Sequence, residues 1–178
     1  MKDHETGGSE APPGPADHCH LPRTRITWMG REHLPHVLRI EGESFASPWS
    51  EEDFLRELRR RQVAGLAALV KCPGGEQAVG YLVYERERRA VRVLNLAVDA
   101  RVRRLGAATA LLATLASKME RHQRWRVLAH VRESNTGAQL FLKAMDFRAL
   151  RVDRGFYLDT GEDGYEFEYR VRAAACAT

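Results

Sequence analysis

The chain has little cysteine, and it has no apolar run long enough to cross a membrane. Only three cysteines occur in 178 residues, at positions 19, 72 and 176, and none of them belongs to a Cys-x-x-Cys pair. This odd and dispersed set is typical of a reducing compartment and argues against a disulfide framework. The N-terminus also lacks the apolar core of a signal peptide. We therefore expect a cytoplasmic protein without a membrane partner.

The sequence also lacks the two common phosphate-binding fingerprints and a strong charge of either sign. Neither a Walker Gly-Lys-Ser/Thr nor a Gly-x-Gly-x-x-Gly is present. The formal net charge is +4 and the isoelectric point is about 9.2. This balance agrees with an anionic ligand or a ribosomal neighbourhood, but the excess is too small to predict direct binding to nucleic acid.

The two ends of the chain have the composition of tails. Residues 1–23 are rich in Gly, Pro and charge with almost no large apolar side chains, so we predict a disordered tail there and a short tail at residues 173–178. The sequence Asp-His-Cys-His at residues 17–20 offers no second ligand pair elsewhere, and we predict no metal. Residues 24–172 are then one domain of ordinary size.

Residues 91–119 predict a strand, a polar turn and a helix. Residues 91–98 form an apolar, partly β-branched run, and the charged residues 99–104 interrupt it. The following apolar residues recur at three- and four-residue spacing, as a helix with one buried stripe requires: Leu105, Ala108, Leu111, Leu112, Leu115 and Met119.

Small residues crowd the start of this helix, in the sequence RRLGAA at residues 103–108. They would let a ligand reach backbone amides that have no acceptor within the helix, and the helix dipole favours an anion there. The pattern predicts a phosphate or pyrophosphate site, with two arginines adding positive charge. Close packing on a sheet, with solvated arginines, is the alternative.

The other patterns predict an α/β protein with a mixed sheet. Strand patterns cover residues 25–29, 63–71, 77–86, 125–131, 147–157 and 165–171, and helix patterns cover residues 31–45, 51–61 and 135–145. With the central stretch, the order is strand, two helices, three strands, helix, strand, helix and two strands. Such an order is typical of a layered domain.

An aromatic loop that contains proline joins the two early helices. Ser50 is a good N-cap for the second helix, and Asp53 places an acid in its first turn. Phe45 and Trp49 are candidates to line one wall of a substrate cleft. A simple packing corner is the alternative that these residues leave open.

The turn after the central strand matches the R/Q-x-x-G-x-G/A signature of the GNAT N-acetyltransferases, with Arg103, Gly106 and Ala108 at the defining places. The element order resembles that family from end to end. The resemblance implies a central, mostly antiparallel sheet that is split at the strand holding acetyl-CoA, with helices on both faces. It also implies a set of acetyl-CoA-binding residues, namely Leu96, Ala97, Val98, Arg103, Arg104, Leu105, Gly106, Ala107, Ala108, Thr109 and Asn135.

Residues 45–54, 94–109 and 131–141 resemble the RimI type within this family, which acetylates the N-terminal alanine of a small-subunit ribosomal protein. Two positions depart from that pattern. His130 stands where the RimI type has a glutamate as general base, and Leu142 stands where it has a tyrosine as general acid. Leu142 has no proton to donate.

The pKa of the acceptor amine determines how strong a general base the reaction needs. An α-amine titrates near 8, so a modest base can deprotonate it, whereas lysine titrates near 10.4. A histidine near 6.5 suits that task, and we predict that His130 is the general base, with a buried structural histidine as the alternative. A thiol with a pKa near 8.5 can leave as a thiolate without a strong general acid. Tyr157 or water would then supply the last proton.

Carboxylates beside these positions are weaker candidates. Glu133 falls three residues after His130, on the opposite strand face, and we expect it to be solvated or to cap a helix. Glu41, Glu43 and Glu51 edge the aromatic loop and are candidates to attract a cationic amine. We expect them to be ordinary surface carboxylates.

The sequence thus predicts acetyl transfer from acetyl-CoA to a primary amine, most of all a protein N-terminus. We expect direct attack in a ternary complex, since no cysteine falls near the inferred thioester site. Acetylation of a small-molecule amine or of a lysine is one alternative. A catalytically weakened domain that binds acetyl-CoA as a sensor is the other.

Overall fold

The structure is a computed structural model that describes residues 24–73, 75–121 and 126–170. The strands are β1 (Arg25–Trp28), β2 (Val63–Cys72), β3 (Gly75–Arg86), β4 (Ala90–Val98), β5 (Arg126–Arg132), β6 (Arg148–Tyr157) and β7 (Glu162–Arg170). The α-helices are α1 (Leu34–Ser44), α2 (Glu51–Leu58), α3 (Ala107–Arg121) and α4 (Thr136–Ala144), and short 3-10 turns cover Arg31–His33 and Ala100–Val102. The predicted tails at residues 1–23 and 173–178 lie outside the described residues.

All of the described strands form one sheet in the order β1-β2-β3-β4-β5-β7-β6. Only β4 and β5 run parallel, and the other neighbours are antiparallel. The parallel pairing is short, from Ala90 opposite Arg126 to Val93 opposite Ala129. Beyond it β4 stays with β3 and β5 stays with β7, so the sheet opens into a gap. The predicted mixed sheet with a split at the central strand is confirmed.

A β-bulge marks the point where the split begins. Val83 of β3 lies opposite Asn95, but the next residue, Tyr84, lies opposite Val93, so Leu94 is one extra residue on β4. Bulges sharpen the local twist and redirect a strand. This one therefore helps β4 to turn away from β5.

Helices cover both faces of the sheet. On one face α3 and α4 bury Leu111, Leu115 and Leu142 against the central strands. On the other face α1 and α2 bury Ile40 and Phe54 against β3 and β4. This second face is left open over β5, β7 and β6, which places a cleft beside the split.

The predicted bounds of several elements are wrong. Leu105, expected on the buried stripe of the central helix, is 57% exposed, because α3 begins only at Ala107. The last strand begins at Glu162 rather than at Tyr165. No helix among the described residues combines the length and the apolar character that a membrane crossing needs.

Candidate active site

The turn between β4 and α3 presents backbone amides at the mouth of the split. Arg104 has φ +65° and Gly106 has φ +91°, both in the left-handed region. The amide of Ala110 donates to Gly106 O at 2.9 Å, so the amides of the three residues before Ala110 have no acceptor within the helix. A Cβ atom placed on Gly106 would meet nothing within 4 Å. An open turn with such amides is suited to bind an anion.

Arg103 holds this turn against the rest of the protein. Its Nε donates to Val98 O at 3.0 Å, and a terminal guanidinium nitrogen donates to Ser44 Oγ at 3.0 Å. Ser44 is the last residue of α1. Arg103 and Arg104 are both exposed, and the guanidinium of Arg103 is engaged by these two contacts.

The gap in the sheet exposes one edge of β4. The Asp99 amide donates to Val79 O of β3 at 2.9 Å. Since backbone groups alternate sides along a strand, the amides of Leu96 and Val98 point into the gap, and the amide of Ala97 points to β3. Of the three predicted strand residues, Leu96 and Val98 therefore face the split.

A buried carboxylate anchors the aromatic loop to the sheet. Glu41 is 1% exposed. Its Oε1 accepts from the Trp49 amide at 2.8 Å and from Asn95 Nδ2 at 3.0 Å, and its Oε2 accepts from the Tyr81 hydroxyl. Burial and the nearby Glu41 charge raise the pKa of Tyr81. Phe54 stands edge-on to both Trp49 and Tyr81, with ring centroids 5.2 and 5.5 Å apart.

The expectation of a surface carboxylate is therefore wrong for Glu41. The signal was in the sequence, because Glu41 shares helical spacing with Leu34 and Val37, which are also buried. Trp49 is held in place by the carboxylate and by Phe54. The aromatic loop, residues 45–50, is thus a fixed wall beside the exposed part of β4.

Replacement of Glu41 by alanine should destabilise the fold. The buried Tyr81 hydroxyl and two half-buried donors, the Trp49 amide and Asn95 Nδ2, would lose this acceptor. We expect a loss of about 3 kcal/mol in the free energy of unfolding, since each such donor costs about 1–3 kcal/mol. Denaturant unfolding measures this loss. The control is Glu43→Ala, which removes an exposed pair with Arg39 on the same helix and should cost less than about 1 kcal/mol. Equal losses in the two variants would contradict the anchoring role.

His130 lies at the apex of the split. It directly follows Ala129, the last residue of β5 that pairs with β4. In the strand pairing, His130 itself lies opposite Glu166 of β7. Its side chain is 9% exposed. The predicted base is thus placed where the two strands separate.

Both ring nitrogens of His130 have partners. Nε2 lies 2.8 Å from Asp153 Oδ2, and Nδ1 lies 3.3 Å from a terminal nitrogen of Arg92. Because a guanidinium only donates, Nδ1 must accept, and in the neutral ring the proton is on Nε2 and is donated to Asp153. This assigns the tautomer from the hydrogen-bond partners.

His130, Asp153 and Glu166 bring three possible metal-ligating atoms within 4.8 Å of one another. Two guanidinium groups already bind Glu166: that of Arg92 at 2.9 Å and that of Arg151 at 3.0 Å. A divalent cation would have to displace both. The arrangement is that of an ion-pair network around a histidine.

Phe156 and Tyr157 extend from this histidine in a row. The Phe156 ring stacks on His130 with centroids 4.0 Å apart and an interplanar angle of 2°, and Tyr157 stands edge-on to Phe156 at 5.1 Å. The Arg132 guanidinium lies 4.0 Å from the centroid of the Tyr157 ring. Burial raises the pKa of Tyr157 to about 12, so its hydroxyl is protonated at neutral pH.

Leu142 is buried in the core on the α3 and α4 face.

The aromatic loop also touches the turn between β6 and β7. Asp159 in that turn accepts a hydrogen bond from Arg132 at 2.7 Å. Arg132 first, and then the nearby Ser47 of the loop, lower the pKa of Asp159. The aromatic loop and this turn therefore approach each other across the cleft.

Asn135 and Glu133 lie at the start of α4. The Asn135 side-chain oxygen accepts from the Ala138 amide at 3.0 Å and so caps the helix, which leaves its Nδ2 group for other partners. Glu133 is exposed in the turn after β5, as expected.

Comparison with known proteins identifies the family of this chain. The profile of the Acetyltransferase (GNAT) family matches residues 34–147. A protein of Bacillus subtilis (strain 168), provisionally named [ribosomal protein bS18]-alanine N-acetyltransferase, is 27% identical over 135 residues, which cover 76% of this chain and 87% of the relative.

Solved structures share the fold. The ribosomal-protein-S18-alanine N-acetyltransferase from Escherichia coli matches with a TM-score of 0.72 and 22% identity over 88% of this chain and 99% of its own. Arabidopsis thaliana NAA60, solved with acetyl-CoA, matches with a TM-score of 0.72 and 22% identity over 84% of this chain and 99% of its own. The chain belongs to the GNAT acetyltransferase family and is an acetyl-CoA-dependent N-acetyltransferase.

Proposed function

We propose that this enzyme acetylates the α-amine of a protein N-terminus by direct attack in a ternary complex. The observation that carries the proposal is the split beside β4, which has strand amides on one edge and His130 at its apex. A thioester that entered the gap would lie between an amide donor and a base. The names of the relatives from Bacillus subtilis and Escherichia coli support a ribosomal protein as the acceptor, and we place the reaction in the cytoplasm.

Acetyl-CoA would bind along the open edge of β4 and the turn after it. The amides of residues 104–109 would take the pyrophosphate, since those at the helix start have no acceptor within the helix and Gly106 leaves the space open. The Leu96 amide would hold the thioester oxygen, and a donor of this kind is worth about 3 kcal/mol of barrier once the oxygen becomes an oxyanion. The free Nδ2 group of Asn135 would contact the coenzyme arm.

The acceptor would enter on the opposite side, between the aromatic loop and the turn after β6. Phe45 and Trp49 would line its path. Because Ser47 and Asp159 lie near each other across the cleft, an amine at a chain end reaches His130 more easily than an amine in the middle of a folded surface. A protein N-terminus therefore suits the cleft better than a surface lysine.

In the reaction, the neutral amine forms a bond to the acetyl carbon, and the resulting ammonium gives its proton to His130. The carbon–sulfur bond then breaks, and the thiolate takes a proton from Tyr157 or water. Among the residues that the structure describes, the one cysteine is Cys72. It lies at the β2–β3 turn, and β3 separates it from β4. This placement supports direct attack rather than a cysteine relay.

Release of the coenzyme thiol with a panel of peptides tests the proposal. We expect turnover with peptides that start with alanine or serine, and product masses that carry one acetyl group. A peptide with a blocked N-terminus and an internal lysine, together with small primary amines, provides the controls. Turnover only with these controls would contradict the proposal, and binding of acetyl-CoA without any turnover would favour the sensor alternative.

A further inference from the structure

We infer that Asp153 is the positioning residue for His130: it orients the imidazole so that Nδ1 is the proton-accepting atom, and it stabilises the imidazolium that forms. The inference rests on the proposed role of His130 as the base. We assign Asp153 no contact with either substrate. It acts through the histidine alone.

The first support is the contact itself. The 2.8 Å distance between Nε2 and Asp153 Oδ2 is that of a short, charge-assisted hydrogen bond. The donor on the other side, Arg92, requires a bare Nδ1. Both neighbours therefore select the same tautomer, with the proton on the nitrogen that faces Asp153.

The second support is the local path of β6. The pairing of β6 with β7 loses register between Asp153 and Tyr157, and Gly155 in this interval has φ +59°. The deviation brings Phe156 over the His130 ring. A Cβ atom on Gly164 would lie 2.8 Å from Phe156 atoms, so the absence of a side chain there makes room for the stack. Asp153 and Phe156 thus fix the imidazole at its edge and at its face.

The charges that surround the ring nearly balance. Arg92 faces it from β4, Asp153 with Arg151 from β6, and Glu166 from β7, 4.0 Å from Nε2. Each arginine already pairs with Glu166. Asp153 is the carboxylate within hydrogen-bonding distance of the ring, so it is the group that most directly stabilises an added proton on His130.

The proton can be followed through the step. The acceptor ammonium loses a proton to Nδ1, directly or through one water, and the Arg92 hydrogen turns from Nδ1 to Glu166, which it already contacts. The imidazolium then keeps its Nε2 hydrogen bond to Asp153. The proton later leaves Nδ1 to solvent, which restores the starting tautomer.

A double-mutant cycle with pH profiles tests this role, using Asp153→Asn, His130→Gln and the double variant. Glutamine keeps a donor for Asp153 but takes up no proton. We expect Asp153→Asn to lower kcat roughly tenfold, part of the 10²–10⁴-fold that a general base supplies, with an unchanged KM for acetyl-CoA. The midpoint of the acid limb should move to lower pH, because a neutral amide stabilises the imidazolium less than a carboxylate does. In the His130→Gln background the same change should have almost no effect.

The control is Asp146→Asn, an equal change at an exposed position with φ +62°, where asparagine is tolerated. It should leave both kcat and the pH profile unchanged. Equal losses from Asp153→Asn in both backgrounds would show a merely structural role and overturn the inference. An unchanged kcat in Asp153→Asn, together with a large loss of kcat in His130→Gln, would overturn the inference but still support His130 as the base. Full activity of His130→Gln would instead refute the base itself.

Discussion

Replacement of Gly106 by valine should raise the KM for acetyl-CoA about 100-fold, from the loss of two charge-assisted hydrogen bonds of about 1.5 kcal/mol each. Gly106 has φ +91°, which a β-branched side chain does not adopt without strain. The turn would have to rearrange, and the new side chain would occupy the open space before the α3 amides. Steady-state kinetics with varied acetyl-CoA and calorimetric binding of the coenzyme measure the loss.

The matched control is Gly75→Val in the β2–β3 hairpin. Gly75 also has a positive φ, +115°, and also has open space around its missing Cβ. The two variants therefore introduce similar backbone strain, but only one of them lies at the proposed anion site. Equal effects on the KM for acetyl-CoA would place the coenzyme elsewhere.

Replacement of His130 by glutamine should lower kcat about 100-fold near neutral pH, the lower end of what a positioned general base supplies. The KM for acetyl-CoA should stay unchanged, because the histidine lies on the acceptor side of the split. The pH profile should also change. The wild-type profile should have an acid limb that the variant lacks, because glutamine takes up no proton, and the variant should keep only the titration of the acceptor amine near pH 8.

A second variant and a folding check distinguish loss of the base from loss of the fold. His130→Ala removes the hydrogen bond to Asp153 as well as the base, and a circular dichroism spectrum of each variant reports whether the sheet survives. Undiminished turnover in a folded His130→Gln enzyme would identify His130 as a structural residue of the ion-pair network.

The order of elements was predictable because each element carries its own period. The apolar run of β4, the helical spacing of α3 and the small residues between them are local signals, and they predicted this strand, turn and helix. The split in the sheet was implied by the family resemblance. The start of α3 was predicted two residues early. Leu105 fits the helical spacing, but the left-handed conformation of Gly106 ends that turn, and spacing alone does not report φ.

The hydrogen-bond partners of the site residues could not be predicted from the sequence. Asp153 reaches His130 from a strand 23 positions later, and Arg92 reaches it from 38 positions earlier. Such pairs depend on strand register, which is set by bulges and by the whole sheet. The Arg103 side chain shows the same limit, since its contact with Ser44 joins residues that are 59 positions apart.

A peptide with two different amines distinguishes an N-terminal acceptor from a lysine acceptor. A peptide that starts with alanine and also contains an internal lysine is incubated with acetyl-CoA and the enzyme, and fragment masses locate the acetyl group. We expect one acetyl group on the α-amine and none on the lysine. An acetyl group on the lysine alone, in a reaction that requires the enzyme, would contradict the proposed N-terminal acceptor.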